Sequence, residues 1–451
     1  MARNAIYTAT ILTLALTAQK TLAEDFLEKF DDGSIRLRYS TNANGNKHGI
    51  YVEYHSKKKI KIRAKYKDGK LHGKYEERFE NGKSKIRANY EDGELHGEYE
   101  ERFKNGKPKI RANYAQGKLH GGYQEYEEKG RNKVAKQLLY SRGEVLIERG
   151  PRQIDAELAK IAKTKVKLDG KTEGYGYQTV WDRMKDSKQI SGYQKSAQLL
   201  KQYRYLSRMP YEDIVLDYEA TVKATAAADV LNRLQTISHT PRKPGSMSDE
   251  DFEYGKVGCK FGNLYTSKDA DIPTILPDLV HNFMEDSGGK NIERVGHRRW
   301  CLHPLLLKTG FGSFRSLSAM WVNDTSRTEA PEYDFIHFPP KGYMPGKYFS
   351  SKHSWSVQPN PEKFTLNQND IKVKVYPARL STKTGDLEMG SEPLELDVLN
   401  VDPETRGVGP CLIFRPKQFS VKRGSTYAVV IDGIRTAAGE EHQLKYLVLF
   451  Y

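Results

Sequence analysis

Between residues 61 and 132 apolar and polar positions alternate in three copies of one 24-residue unit: KIRAKYKDGKLHGKYEERFENGKS, KIRANYEDGELHGEYEERFKNGKP and KIRANYAQGKLHGGYQEYEEKGRN. A degraded copy precedes them, with Lys47-His48-Gly49 in register with Leu71-His72-Gly73, and traces continue to about Arg149. In the second copy Ile86, Ala88 and Tyr90 alternate onto one face, as do Leu95, Gly97, Tyr99 and Phe103, with Glu101 the misfit. His96, Glu98, Glu100 and Arg102 point the other way. Glu91-Asp92-Gly93-Glu94 reads as a turn, and Asn105-Gly106 is a strong hairpin signal. Each unit is therefore a β-hairpin with an apolar-aromatic face that needs cover and a charged face. With strands ~4.8 Å apart, each repeat lengthens the sheet by ~10 Å, and four units give a width of about 40 Å.

The same period places histidines at 48, 72, 96 and 120. A ~10 Å step is too long for them to share one zinc, whose bonds are about 2 Å, so pairing with Glu neighbours is expected. The run Lys57-Lys58-Lys59 with Lys61 and Arg63 reads as a solvated face or an anion-binding stripe.

Beyond the repeats the period changes. Asp155 to Lys165 predicts a short helix, and Val166 to Gln178 is polar and linker-like. A long helix is predicted over LDYEATVKATAAADVLNRLQTI, just before His239. From about Ser351 short alternating runs return, as in Ile371–Val375, Leu394–Val398, Tyr427–Ile431 and Leu444–Tyr451. They predict a β-sandwich of the immunoglobulin-like kind.

Composition narrows the partners. The formal net charge is +15, which favours anionic surfaces such as envelope polymers, acidic glycans or membrane faces. No helix-turn-helix, zinc-finger or RNP pattern accompanies it, so nucleic acid is not expected. Met1–Arg3, the apolar run Ala5–Ala18 and the small residues Thr21-Leu22-Ala23 have the shape of a secretory signal, cut before Glu24 or after Ala18. The protein is thus expected outside the cytoplasm, secreted or periplasmic. No other segment approaches the length of a membrane span, so an integral membrane protein is not expected. The three cysteines, Cys259, Cys301 and Cys411, allow at most one bridge. A Cys259–Cys301 pair and three buried thiols are both open readings.

The run FMEDSGGKNIERVGHRRWCLHP, Phe283 to Pro304, together with SHTP around His239, resembles the signatures of the CAP superfamily, the cysteine-rich secretory protein/allergen/pathogenesis-related fold. The match covers roughly Tyr193 to Val322. The resemblance implies an α-β-α sandwich whose shallow cleft holds two histidines and two acidic residues. Some members bind a divalent metal through the histidines. Carried over, it marks His239 and His297 as the histidines. Asp286, three residues after Phe283, is one carboxylate, with Glu285 as the alternative. Where the family has its other glutamate this chain has Gly262, in Phe261-Gly262-Asn263-Leu264, so a gap that water can fill is expected. Arg298 and Arg299 follow His297 directly, and Trp300 is expected in the core. The 24-residue units resemble MORN-type repeats over about residues 45–150.

The reading is a multi-domain α+β chain. Residues 1–23 are the signal and 24–150 MORN-like hairpin repeats. Residues 151–192 are helix and linker, 193–350 a CAP-like domain and 351–451 an immunoglobulin-like β-sandwich. The function expected is non-catalytic binding of an anionic envelope polymer, lipid or protein through the CAP-like cleft and the β-repeat surface. The rival is a metal-assisted hydrolase or protease in which His239, His297 and Asp286 or Glu285 hold zinc or another divalent ion and activate water. A third reading is a structural envelope component.

Overall fold

The computed structural model describes residues 24–56, 59–130, 133–170, 178–267, 272–324, 326–403 and 409–451. The expected signal at 1–23 and the lysines at 57 and 58 lie outside the described residues. Strands take 41% of the chain and helices 23%, so the mixture of α and β is weighted to β. Two compact units emerge: residues 1–144 with 382–385, and residues 145–381 with 386–451.

The first unit is an antiparallel meander, part of an eleven-strand sheet in sequence order whose last strand runs past the boundary at residue 144. They are β1 (Asp25–Lys29), β2 (Ile35–Thr41), β3 (Lys47–Tyr54), β4 (Ile60–Lys67), β5 (Lys70–Arg78), β6 (Ser84–Glu91), β7 (Glu94–Arg102), β8 (Pro108–Ala115), β9 (Lys118–Tyr126), β10 (Val134–Ser141) and β11 (Glu144–Ile147). Two turn chemistries alternate along it. At Asp92-Gly93 both central residues have positive φ, 50° and 95°, the combination that joins twisted strands with a two-residue loop. At the Asn105-Gly106 turn the glycine has φ 90°. There Phe103 N donates to Lys107 O, and a register shift follows at Glu101/Arg102, as in a turn closed by a glycine bulge.

Directly opposed residues share a face of the sheet. Ala64, Tyr75, Ala88, Tyr99, Ala112 and Tyr123 are opposed in turn. The alanines are buried, and the tyrosines are half-buried in pairs: Tyr75–Tyr90 and Tyr99–Tyr114 each have ring centroids 5.7 Å apart. The face thus shields itself: each large ring covers the small side chains beside it. Glu101 is no error of alternation. It lies on the tyrosine face and takes an ion pair from Lys109 at 2.7 Å, as Glu77 does from Lys85 and Glu53 from Lys61. Three of the histidines pair with acidic neighbours at 3.2–3.3 Å, two with Asp rather than Glu: His48 with Asp68, His72 with Asp92 and His96 with Glu91; His120 accepts from Arg142 N at 3.1 Å.

The second unit begins with α1 (Pro151–Lys163), β12 (Leu168–Asp169), α2 (Gln178–Lys185), α3 (Ser187–Leu206) and β13 (Val215–Asp217). It continues through α4 (Tyr218–Leu234), α5 (Asp249–Phe261), β14 (Gly262–Thr266), α6 (Ile272–Glu285), α7 (Gly296–Cys301), β15 (Lys308–Phe314) and β16 (Leu317–Trp321). Side chains of Asp186, Asp217 and Ser248 cap α3, α4 and α5 by accepting free backbone N–H groups. The strands form a mixed sheet in the order β12-β13-β15-β16-β14. Helices pack on both sides. Leu200, Tyr203, Leu279 and Phe283 of α3 and α6 meet Phe311 and Met320 in one core. Val222, Val230 and Phe252 of α4 and α5 meet Leu264, Leu317 and Ala319 in another. The α4 helix lies so close to β15 that a Cβ at Gly312 would stand 2.2 Å from Thr225 N.

This arrangement settles the cysteines. Cys259 belongs to one core and Cys301 to the other, and all three thiols are free and buried. Burial pushes the Cys259 and Cys301 thiols up to about 12.

The C-terminal strands form two further sheets. One runs Phe335–Phe338, Trp355–Pro359, Cys411–Pro416, Leu396–Asp402; the other carries Gly342–Met344, Glu441–Phe450, Thr426–Thr436, Lys372–Leu380 and Leu387–Met389. Trp355 from the first sheet touches Tyr427 and Phe450 from the second, at 5.9 and 6.4 Å between ring centroids. The same core continues into the helices. No described helix is long and apolar enough to cross a membrane.

Candidate functional site

Two left-handed residues shape the ground around His297. The α6 helix ends as Asp286 N donates to Asn282 O, and Asp286 itself has φ 51°. That conformation is open to Asp at little cost. After the short helical turn Gly289–Glu293 the chain reverses again at Val295, φ 43°, immediately before α7. A β-branched residue there is strained. Val295 is wholly buried against Val398, Cys411 and Ile413, and this packing holds the conformation in place.

The reversals bring the Asp286 carboxylate over the start of α7. It accepts from His297 N at 2.9 Å and lies 2.9 Å from His297 Nδ1. Asp286 is buried and the His297 side chain is 24% exposed. With Nδ1 donating to the carboxylate, Nε2 carries the ring's lone pair. The ring packs on Phe283, with centroids 4.9 Å apart.

Of the two neighbouring carboxylates it is Asp286 that meets His297. Glu285 instead accepts from Ser287 Oγ at 2.7 Å and Ser350 Oγ at 3.1 Å. His239 donates Nδ1 to Cys259 O at 2.7 Å and is exposed, so its Nε2 is also left with a lone pair. The same short segment reaches His297, because Asn263 Nδ2 donates to His297 O at 3.0 Å. Both histidines therefore hang on residues 259–263, but His239 takes its bond from a carbonyl rather than from either carboxylate. Among the described residues no group of three or more His, Cys, Asp or Glu side chains is placed to hold a metal ion. The four candidate ligands thus do not assemble into one coordination set.

One expectation is corrected nearby. A Cβ at Gly262 would stand 2.5 Å from Gly258 O and 3.0 Å from Met320 O. Backbone fills the space, so there is no open gap where the second carboxylate was expected. Trp300 packs against the core while partly exposed, and the two arginines before it are buried more deeply. Arg298 donates to Met284 O, Glu285 O and Ser354 O at 2.7–2.9 Å and stacks on Phe338. Burial pulls its guanidinium down to about 10. Arg299 pairs with Asp402 at 3.0 Å.

The sequence also left unread a polar cluster beside the site. His353 is buried, stacks on Phe349 at 4.4 Å, and accepts at Nδ1 from Ser350 N at 3.0 Å. Burial first, and the Arg298 charge second, hold its pKa well below the usual histidine value. A groove of ≈ 620 Å³ in this unit is lined by Arg149, Tyr205, Arg208 and Tyr211 among others, and by none of the four candidate residues. At the His297 site one imidazole is held by one carboxylate. No protein-family model matches the chain, and no curated protein matches it.

Proposed function

We propose that this chain is an exported, non-catalytic binding protein built from MORN-like repeats, a CAP-like α-β-α domain and an immunoglobulin-like sandwich. Supporting the parts are the eleven-strand hairpin meander, the helices on both faces of a five-stranded sheet, and the aromatic packing between the two C-terminal sheets. The observation that carries the function is the division of the candidate donors. Asp286 serves His297, Glu285 serves two serines, and His239 serves a carbonyl. A site that activates water needs its ligands or its acid and base focused on one point. A site that only recognises needs fixed polar groups on a rigid surface.

A second reading, hydrolysis with His297 as general base, draws on the 2.9 Å bond to Asp286. One experiment separates the two. Purified protein is offered cell-wall polymer and anionic vesicles in sedimentation assays, and ester, peptide and phosphodiester substrates in turnover assays. Binding without turnover is expected of the wild type. Turnover that His297→Gln abolishes would establish the hydrolase instead.

A further inference from the structure

The charged face of the eleven-strand sheet carries an ordered row of side chains. The pairing register sets Arg38 opposite Val52, Val52 opposite Arg63, Arg63 opposite Glu76, and Glu76 opposite Arg87. It continues from Arg87 to Glu100, from Glu100 to Arg111 and from Arg111 to Gln124. Directly opposed residues point to the same side. An arginine therefore recurs on every second strand, ~10 Å from the last, and the four span about 30 Å. All four are exposed.

The two carboxylates in the row hold arginines in place. Glu76 bonds Arg78 at 3.0 Å and approaches Arg87 at 3.6 Å; Glu100 bonds Arg102 at 2.8 Å and Arg111 at 3.2 Å. Each carboxylate thus faces two guanidiniums, and cations remain in excess. The exposed Lys65 and Lys74 add to that excess, and both line one groove with Arg63, Glu76, Arg87, Glu100 and Arg111.

We propose that this row binds an extended acidic polysaccharide bearing a carboxylate on alternate sugars. The proposal deepens the binding reading above and rests on it. Guanidinium forks match planar carboxylates in two-pronged geometry. An extended sugar chain repeats every second residue over a length comparable to two strands. In such a register each acidic sugar meets an arginine. Each neutral sugar meets Glu76, Glu100 or Gln124, which accept from its hydroxyls. The alternatives fit less well. Polynucleotide phosphates recur every few Å, and Glu76 and Glu100 would repel every second group. A membrane is flat, whereas these residues line a groove.

The test uses the full chain and hyaluronan oligosaccharides of defined length, which carry glucuronate on alternate sugars. Affinity should rise with length to about four disaccharides, one per arginine, and then level off. The double variant Arg63→Gln/Arg87→Gln should lose on the order of tenfold in affinity and show a weaker salt dependence. The charge-matched Lys85→Gln/Lys109→Gln, on the tyrosine face, should bind as wild type does. Unfolding midpoints verify that each variant is folded. Equal losses in both double variants, no hyaluronan binding, or tighter binding to anionic vesicles, to single-stranded oligonucleotide or to polygalacturonate, acidic at every sugar, would each overturn the row. The turnover assays above are run on the same preparation: turnover alongside intact hyaluronan binding would overturn the non-catalytic reading and leave the row standing, so the two failures are distinguishable.

Discussion

Asp286 works through one backbone angle: at φ 51° its carboxylate reaches both the His297 amide and the His297 ring. Asp286→Ala leaves both donors without that acceptor in a largely buried place and should cost about 1–3 kcal/mol. Asp286→Asn keeps one accepting oxygen and tolerates the same angle, so it should cost clearly less. Denaturant unfolding of the two variants checks this; equal losses would mean that the carboxylate holds neither group. His353 supplies a pH dependence. Its native pKa lies well below 6.5, its value in the unfolded chain, because of burial and Arg298. As pH falls below about 6.5 the unfolded state takes a proton that the native state resists, so stability falls with pH by up to about 1.4 kcal/mol per unit. His353→Phe keeps the stack on Phe349 and removes the titration. It should be less stable at pH 7, where Ser350 N loses its acceptor, and should lose about one proton's worth of slope between pH 4 and 6.5. An unchanged slope would show that His353 protonates freely in the fold. Neither effect was legible in the sequence. His297 and Asp286 stand out in a short motif, but His353 lies far along the chain and acquires its environment only from Phe349, Phe338 and Arg298.

Elements differ in how far local sequence decides them. The hairpins were readable because strand, turn and partner lie within one period, and Asp92-Gly93 states its turn outright. Even so, the tyrosine face was misjudged: alternation says which side a ring takes, not that rings and buried alanines can cover one another. Gly93→Ala should cost about 1 kcal/mol or more, since alanine resists φ 95°, and a fall in the unfolding midpoint measures it. In the second unit the decisive contacts cross long stretches of chain. Nothing in the local sequence Gly310-Phe311-Gly312 of β15 tells that α4 presses on its glycines. A methyl at Gly312 would collide with Thr225 N at 2.2 Å, and one at Gly258 with Lys223 O at 2.1 Å. Both obstacles are backbone, which yields less than a side chain. Gly312→Ala and Gly258→Ala should each cost roughly 1–3 kcal/mol or more, against near-neutral change at Gly245→Ala, where nothing lies within 4 Å. Similar unfolding midpoints for all three would contradict the close helix–sheet packing.

At the scale of the whole molecule the two units follow different topological rules. In the second, β15 stands between strands that precede and follow it in sequence, and Gly342–Met344 pairs with the final strand. Such pairings need most of the unit in place before they form. In the first unit every strand pairs with its immediate sequence neighbours, so each hairpin rests on the one before and stability is close to a sum of repeat and interface terms. That difference predicts what shortening would do. Deleting residues 85–108 removes one full period and joins Ser84 to Lys109, where the missing copy had Lys85. Because Ile110, Arg111 and Ala112 then oppose Glu77, Glu76 and Tyr75 as Ile86, Arg87 and Ala88 did, register and faces are preserved. The shortened chain should fold, keep its tyrosine face, and unfold at a modestly lower midpoint. It should also lose one arginine from the row, so that the oligosaccharide length at which binding levels off falls by about one disaccharide, or ~10 Å. Circular dichroism and binding isotherms on the same sample read both effects. A collapse of the fold would show that the repeats are not independent units, whereas an unchanged length dependence in a well-folded protein would show that the row does not set the ligand's register.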